Sequence, residues 1–314
     1  MRVAVLDREE FPRTKLCAGW VTPDALRVLR LDPADYPHGF LTFDRLLIHV
    51  KGLCFPLRTV QHSIRRFEFD DFLLRRSGAQ VIRHTVKHVR EDGDGFEIDG
   101  IFRCRFLIGA GGTRCPVYRT FFRQRNPRAS RLQVVALEQE FQYAWRDPGC
   151  HLWFFENGLP GYAWYVPKAN GWLNCGIGAM ADRLRDRGED IQSHWHTFTQ
   201  TLQREGLVTG ITLAPQGYSY YLRGNLKFIR TGNACVAGDS AGLATVDLGE
   251  GIGPAIRSGL EAARAIAGES SYTLEDVAGT STDQLVENRL LRRLVQAMLA
   301  FRFPAAHAAS RAAV

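Results

Sequence analysis

The sequence predicts a mixed α/β fold, with parallel strands and helices at both ends of the 314-residue chain and an antiparallel sheet inserted between them. Three observations lead there. Arg2-Val3-Ala4-Val5-Leu6-Asp7 is a short apolar strand ending on a carboxylate. Two further strands, Arg105-Phe106-Leu107-Ile108 and Ala234-Cys235-Val236-Ala237, run straight into glycines, Gly109-Ala110-Gly111-Gly112 and Gly238. Between them, residues 132–177 alternate in polarity (Val134, Ala136, Glu138, Glu140) and are rich in aromatics and turn glycines, the pattern of an antiparallel sheet.

The remaining elements follow in chain order. Thr22-Pro23 reads as an N-cap with proline at the first helical position, which opens a helix over 22–31. Residues 43–57 are strand-like and end near Pro56. Phe69, Leu73 and Leu74 share one face of a helix over 67–77, and Gly78 stops it before the strand Gln80-Val81-Ile82. Asp92-Gly93-Asp94-Gly95 is a hairpin turn between two short strands. A helix covers 191–205, and Ile252, Ile256, Leu260, Ala263 and Ile266 recur at helical spacing. The last amphipathic stretch is 283–301.

Composition bounds the chemistry. Hydrophobic residues at 45% and charged residues at 23% are globular values, which excludes disordered and coiled-coil classes. Seven scattered cysteines without a C-x-x-C pair encode neither a disulfide framework nor a zinc site, so no metal is expected and a reducing cytoplasm fits. No apolar run is long enough to span a bilayer. The net charge of +7 is dispersed and favours anionic ligands or an acidic membrane surface; no nucleic-acid reader motif accompanies it.

Several segments could carry chemistry. Asp7, at the end of a strand, stands where a dinucleotide-binding unit keeps the carboxylate that binds ribose hydroxyls. Gly109-Ala110-Gly111-Gly112-Thr113-Arg114 is not a GxGxxG loop, because Arg114 fills the last glycine position. Gly238-Asp239-Ser240-Ala241-Gly242 has two readings: a Gly-Asp turn beside a nucleotide, or a Gly-x-Ser-x-Gly hydrolase elbow with Ser240 as nucleophile. The elbow needs a helix directly after the serine, whereas the helical pattern resumes only near Gly251. Gly249-Glu250-Gly251-Ile252 precedes that helix, so free N–H groups there could face an electron-rich ring.

In this order the segments resemble the flavin-dependent reductases and hydroxylases, of which the geranylgeranyl reductase family is the nearest type. The resemblance is carried by Val3 to Asp7, by Phe11-Pro12-Arg13-x-Lys15-x-Cys17-Ala18-Gly19 with Thr22-Pro23, and by Arg66-x-x-Phe69-Asp70-x-x-Leu73. It continues through Gly109 to Gly112 with Pro116-Val117, Tyr162-x-Trp164-x-x-Pro167 with Gly176-Ile177-Gly178, Gly238-Asp239 and Gly249 to Ile252.

The resemblance implies a Rossmann-like FAD-binding domain formed by 1–40, 80–130 and 230–270. Residues 41–79 would contribute to both lobes, 131–229 would form the antiparallel substrate domain, and 271–314 a C-terminal helical segment. It also implies that Asp7 holds the adenosine ribose, that Arg66 lies near the phosphate or ribityl arm, and that Gly238-Asp239 meets the ribityl chain and diphosphate. Gly249, Glu250, Gly251 and Ile252 would face the isoalloxazine, Cys17 would steer a proton, and Tyr162, Trp164 and Pro167 would line a channel for a prenyl chain.

The expected activity is reduction of double bonds in an apolar prenyl-type substrate, a small molecule or lipid, with FAD as cofactor and NAD(P)H or ferredoxin as electron donor, by a cytoplasmic protein with peripheral membrane contact. Alternatives are an FAD-dependent hydroxylase, a serine hydrolase through Ser240, and a non-catalytic remnant. Two departures from the family qualify this. Its Asp-Gly is Gly111-Gly112 here, and its opening strand, GxGxxG loop and helix have no counterpart before Asp7. The expectation is a late start site or a shortened relative, with weak FAD binding.

Overall fold

The computed structural model describes residues 2–285 and Arg292. The chain begins with β1 (Ala4–Asp7), β2 (Trp20–Val21) and α1 (Pro23–Leu29), where Thr22 caps the helix by accepting the Ala25 N–H at 3.2 Å. Arg30, in the left-handed region, closes α1 one residue short of the predicted end. β3 (Leu41–Val50) and β4 (Leu53–Ser63) follow, then α2 (Arg66–Ser77), capped by Gly78 at φ 64°. Next come β5 (Gln80–Arg83), β6 (Val89–Asp92), β7 (Gly95–Ile98), β8 (Phe102–Cys104) and β9 (Leu107–Gly109).

The middle contains β10 (Gln133–Gln142), β11 (Cys150–Phe154), β12 (Gly161–Lys168), β13 (Trp172–Met180), α3 (Ala181–Arg187), α4 (Ile191–Arg204) and β14 (Gln216–Tyr221). The described chain closes with β15 (Arg230–Thr231), β16 (Ala234–Val236), α5 (Ile252–Ala267) and α6 (Thr282–Leu285). The amphipathic segment predicted over 283–301 lies almost wholly outside the described residues.

Two predictions needed correction. The run over 43–57 is a hairpin rather than one strand: Lys51 and Gly52 have φ of 53° and 76°, the conformation of a two-residue turn that matches strand twist. Lys-Gly is a weak turn signal, and apolar residues continue on both sides of it, so the break was hidden. The inserted sheet is also not purely antiparallel. Eight strands run in the order β14-β10-β13-β12-β11-β3-β4-β2, and β11 pairs parallel to β3. Residues 41–63 therefore belong to the same sheet as the central segment.

The parallel layer forms two separate pieces, β1 beside β5 and β9 beside β16, with β15 antiparallel on the outer edge. One face of the large sheet packs Trp195, Phe198 and Leu202 of α4 against Leu173, Cys175 and Ile177. Burying each such side chain contributes roughly 1.5–3 kcal/mol. The other face carries Leu46, Leu152, Phe154, Trp164 and Val166 and turns toward the loops that form the site.

Candidate active site

The floor of the site is set by strand register. Gln216, Glu138, Gly176, Trp164, Leu152 and Ile48 lie opposite one another across six strands. The adjacent same-face row is Tyr218, Ala136, Gly178, Tyr162, Phe154 and Val50. Because side chains alternate at period two, Tyr162 and Trp164 share this face and Pro167 does not. Pro167 is therefore no part of the same lining. It lies beyond the last β11 partner of β12, where the missing N–H costs no ladder bond, and its carbonyl accepts the Ser63 hydroxyl at 2.6 Å.

Trp164 is a buried floor plank, its Nε1–H donated to Asn174 Oδ1 at 2.7 Å. Gly176 and Gly178 explain why it lies flat: a Cβ at Gly176 would overlap the indole ring. Tyr162 is only partly buried and donates its hydroxyl to the Leu248 carbonyl at 2.6 Å, which ties the floor to the loop before α5.

One end of the floor is polar. The turn Cys17-Ala18-Gly19 sits on it: the Cys17 N–H donates to Glu138 Oε1 at 2.5 Å, and Asn174 Nδ2 donates to the Cys17 carbonyl at 3.4 Å. Gly19, at φ 71°, leaves room for the Ile64 carbonyl and the ammonium of Lys168. Lys168 is completely buried and donates to Ile64 O and Glu140 Oε2, both at 2.7 Å, while Arg65 Nε holds Glu140 Oε1 at 2.9 Å. Cys17 Sγ accepts the Gly19 N–H at 3.4 Å and is hydrogen-bonded by Arg66.

A second set of ionic groups gathers around β1 and reaches Cys17 through Arg66. Asp7 caps its own turn by accepting the Glu9 N–H at 2.9 Å and meets Arg13 at 3.6 Å. Arg13 also reaches Asp70 at 3.6 Å, and Asp70 grips Arg66 through two bonds of 2.6 and 2.8 Å. Asp7 and Arg66 thus belong to one network. Burial opposes the Arg66 charge, but Asp70 and Cys17 hold its pKa above the ordinary value. Asp239 lies in a short turn, Gly238–Ser240, and its carboxylate meets Lys15 at 3.3 Å.

Arg128 ties that turn to the one after β9. It donates to the carbonyls of Thr113, Asp239 and Ser240, and its guanidinium lies 3.8 Å from the Tyr118 ring centroid. Among the described residues no carboxylate is within ion-pair distance of it, and its buried Nε has no partner. Ser240 is fully buried and its Oγ accepts the Gly112 N–H at 2.9 Å. No histidine among the described residues hydrogen-bonds it, so the hydrolase constellation is not assembled.

The loop before α5 completes the wall. Gly249 has φ 65°, and a Cβ there would overlap the Tyr220 hydroxyl. Gly251 is the N-cap of α5, and Ile252 its first residue, packs with α1 and α2. The N–H groups expected to be free at this helix start are in part taken: Glu250 Oε1 accepts the Gly253 N–H at 2.6 Å, and Ile252 N–H also reaches the carboxylate. Burial pushes the Glu250 carboxyl up to about 7, against these two hydrogen bonds.

Sequence reasoning missed Arg13, Lys15, Arg128, Glu138, Glu140, Lys168, Tyr218 and Tyr220 as site residues. Arg13 and Lys15 stood inside a quoted motif, and Glu138 and Glu140 stood on the inward parity of a recognised strand, as inward charges that called for a partner. A separate groove of about 380 Å³, lined by His84, Lys87, Arg90, Glu97 and Ile101 among others, shares no residue with this site. Among the described residues no helix is long and apolar enough to cross a membrane.

No family model matches the chain. It is similar to the menaquinone reductase of Mycobacterium tuberculosis, with 26% identity over 96% of this chain and 74% of that protein. Among solved structures it resembles a geranylgeranyl bacteriochlorophyll reductase-like protein from Thermoplasma acidophilum (TM-score 0.72, 18% identity, 98% of this chain and 81% of that one). It also resembles PqsL, a probable FAD-dependent monooxygenase of Pseudomonas aeruginosa (TM-score 0.66, 18% identity, 98% and 92%). The chain therefore has an FAD-binding flavoprotein fold.

Proposed function

We propose that the protein is an FAD-dependent reductase that saturates a double bond in an isoprenoid substrate. The observation that carries the reading is the pair of register rows: an apolar, aromatic floor built from Tyr162, Trp164, Phe154, Leu152, Ile48 and Val50 that ends at the Cys17–Glu138 polar cluster. An isoprenoid chain gains about 0.8 kcal/mol for each buried CH2 on such a floor, while the reacting carbons meet groups that can move a proton. The menaquinone reductase relative supports a prenylated substrate.

The residues present fit the cofactor. Asp7 ends a parallel strand, as a ribose-binding carboxylate must. Arg13 lies beside it, Lys15 meets Asp239, and the carboxylate-free Arg128 adds positive charge next to Asp239, which together suit a diphosphate. In this assignment Asp7 and Arg13 hold the adenosine end, Lys15 and Asp239 the diphosphate and ribityl arm, and the Gly249 to Ile252 loop faces the ring. Bound FAD would supply a hydride, drawn from an external donor of the NAD(P)H or ferredoxin kind.

The protein's own part is orientation and proton supply. Tyr162, through its bond to Leu248, keeps the α5 loop at a set height above the floor. Cys17 is oriented by Glu138 and Arg66 at the edge of the substrate space. The exposed apolar residues Leu53 and Phe55 on the β3–β4 hairpin, next to Lys51, fit peripheral contact with an acidic membrane where such a substrate resides.

The test is to purify the chain with excess FAD, reduce it anaerobically with dithionite and add menaquinone. The reading expects a product carrying two more hydrogens. Hydroxylation, supported by the monooxygenase-like fold neighbours, would instead need oxygen and add one oxygen atom. A chain that takes up no flavin, or whose reduced flavin is not reoxidised by menaquinone, would refute the reductase.

A further inference from the structure

Saturating a double bond takes a proton as well as a hydride, and one carboxyl is built into the floor where that proton is needed. Glu138 is 1% exposed on β10 and forms no ion pair among the described residues. Its Oε1 accepts the Cys17 N–H at 2.5 Å and Asn174 Nδ2 at 3.3 Å, and its Oε2 accepts the Tyr218 hydroxyl at 3.1 Å.

An isolated buried carboxylate is costly, and a core serving packing alone would place an apolar or amide side chain there. The groups around it are Cys17 from the turn above, Lys168 and Tyr162 on β12, Tyr218 and Tyr220 on β14, and Glu140 two residues along β10. Lys168 spends hydrogen bonds on Glu140 and Ile64, so its charge reaches Glu138 only through space. Burial drives the Glu138 carboxyl up to about 7, with Lys168 and the donors from Cys17, Asn174 and Tyr218 pulling the other way. The phenols of Tyr218 and Tyr220 are pushed well above their ordinary range by burial and stay protonated. Tyr218 is partly exposed, stacks on Tyr220 with ring centroids 5.9 Å apart, and stands in the same register row as Tyr162.

We infer that Glu138 is the proton store of the site, a positioning residue that relays its proton through the Tyr218 hydroxyl to the alkene; this rests on the reductase reading. In the step, the Oε2–H bond of Glu138 breaks as its proton passes to Tyr218 Oη, and the Oη–H bond of Tyr218 breaks as that proton reaches one alkene carbon. The π pair of the alkene forms the new C–H bond. Bound FAD in its reduced form would supply the hydride and its electron pair to the other carbon. Glu138 is left as a carboxylate held by three donors and regains a proton from solvent.

The first test needs no cofactor. Infrared titration of the full chain from about pH 5 to about pH 9 should reveal a protonated-carboxyl band, to which Glu138 and Glu250 both contribute, that disappears with a midpoint near 7, and Glu138→Gln should lose the Glu138 share and keep that of Glu250. Tyr218→Phe removes one donor to the carboxylate and should raise that midpoint by about one pH unit. It serves as the variant of record should Glu138→Gln fail to fold. A band that persists unchanged in Glu138→Gln, or a midpoint that Tyr218→Phe leaves in place, would overturn the proposal.

With FAD and menaquinone, Glu138→Gln should lower kcat at least about 100-fold with KM little changed, and abolish the loss of rate above pH 7. Unchanged kcat and pH profile in this variant would overturn the relay. A native chain that titrates as described but reduces nothing would instead overturn the reductase reading, and the relay with it, while leaving the buried acid established.

Discussion

Trp164 lies across Gly176, with no space between the indole and the Gly176 backbone for even one methyl group. The pair fixes the depth of the apolar floor, because Gly176 stands between Trp164 on β12 and Glu138 on β10. Gly176→Ala should destabilise the protein by about 1–3 kcal/mol through overpacking and shift the tryptophan emission. Gly178→Ala, whose new Cβ would meet the indole at an ordinary 3.6 Å, is the control and should cost far less. Denaturant midpoints of the two variants check this; equal losses would contradict it.

Lys168 is buried without water access, and Glu140 answers its charge. Lys168→Met should cost about 3 kcal/mol, the lower end for breaking a buried pair, because Glu140 keeps Arg65 at 2.9 Å. Adding Glu140→Gln should restore part of the loss. A thermodynamic double-mutant cycle measures the coupling, and additivity would contradict the pairing.

Stability should depend on pH through Glu138. Burial raises its folded-state pKa from 4.5 to about 7, so the folded chain binds this proton more tightly than the unfolded chain. Its contribution is fully present below about pH 4.5 and is lost as pH rises through 7, on the order of 3 kcal/mol. Glu250 shifts in the same direction and adds to the trend. Glu138→Gln should weaken the dependence and leave the part due to Glu250, as read from unfolding midpoints at about pH 5 and about pH 8.

Flavin affinity should respond to the two carboxylates at the end of β1 and in the Gly238–Ser240 turn. Asp7→Asn and Asp239→Asn should each weaken FAD binding about tenfold, the scale of one charge-assisted hydrogen bond. Ser240→Ala should leave FAD-linked activity intact and lose about 1 kcal/mol of stability, the bond from the Gly112 N–H. Flavin fluorescence quenching and thermal unfolding measure these. An esterase activity lost on Ser240→Ala would revive the hydrolase reading.

Most elements were legible because local signals were strong. The Thr22 cap with Pro23, the Gly78 stop and the aromatic alternation over 132–177 each act over a few residues, and the structure follows them. The hairpin at Lys51-Gly52 was not legible, since its two left-handed residues are set by strand pairing rather than by a strong turn dipeptide. Pro167 was read with Tyr162 and Trp164 from one motif, yet pleating sends it to the opposite face once all three lie on a single strand. The helix-start N–H groups were read as free, because nothing in the order Glu250-Gly251-Ile252-Gly253 says that the Glu250 side chain folds back onto them.

By itself, the sequence determined the alternation of elements, the carboxylates at Asp7 and Asp239, and the aromatic motif of the floor, because each is written in spacing between neighbours. Only the tertiary structure decided that Cys17, Glu138, Tyr218 and Lys168 meet at one end of that floor. Those contacts span sequence separations of up to 121 residues, and they depend on sheet register, where a slip of one residue would turn Glu138 to the opposite face.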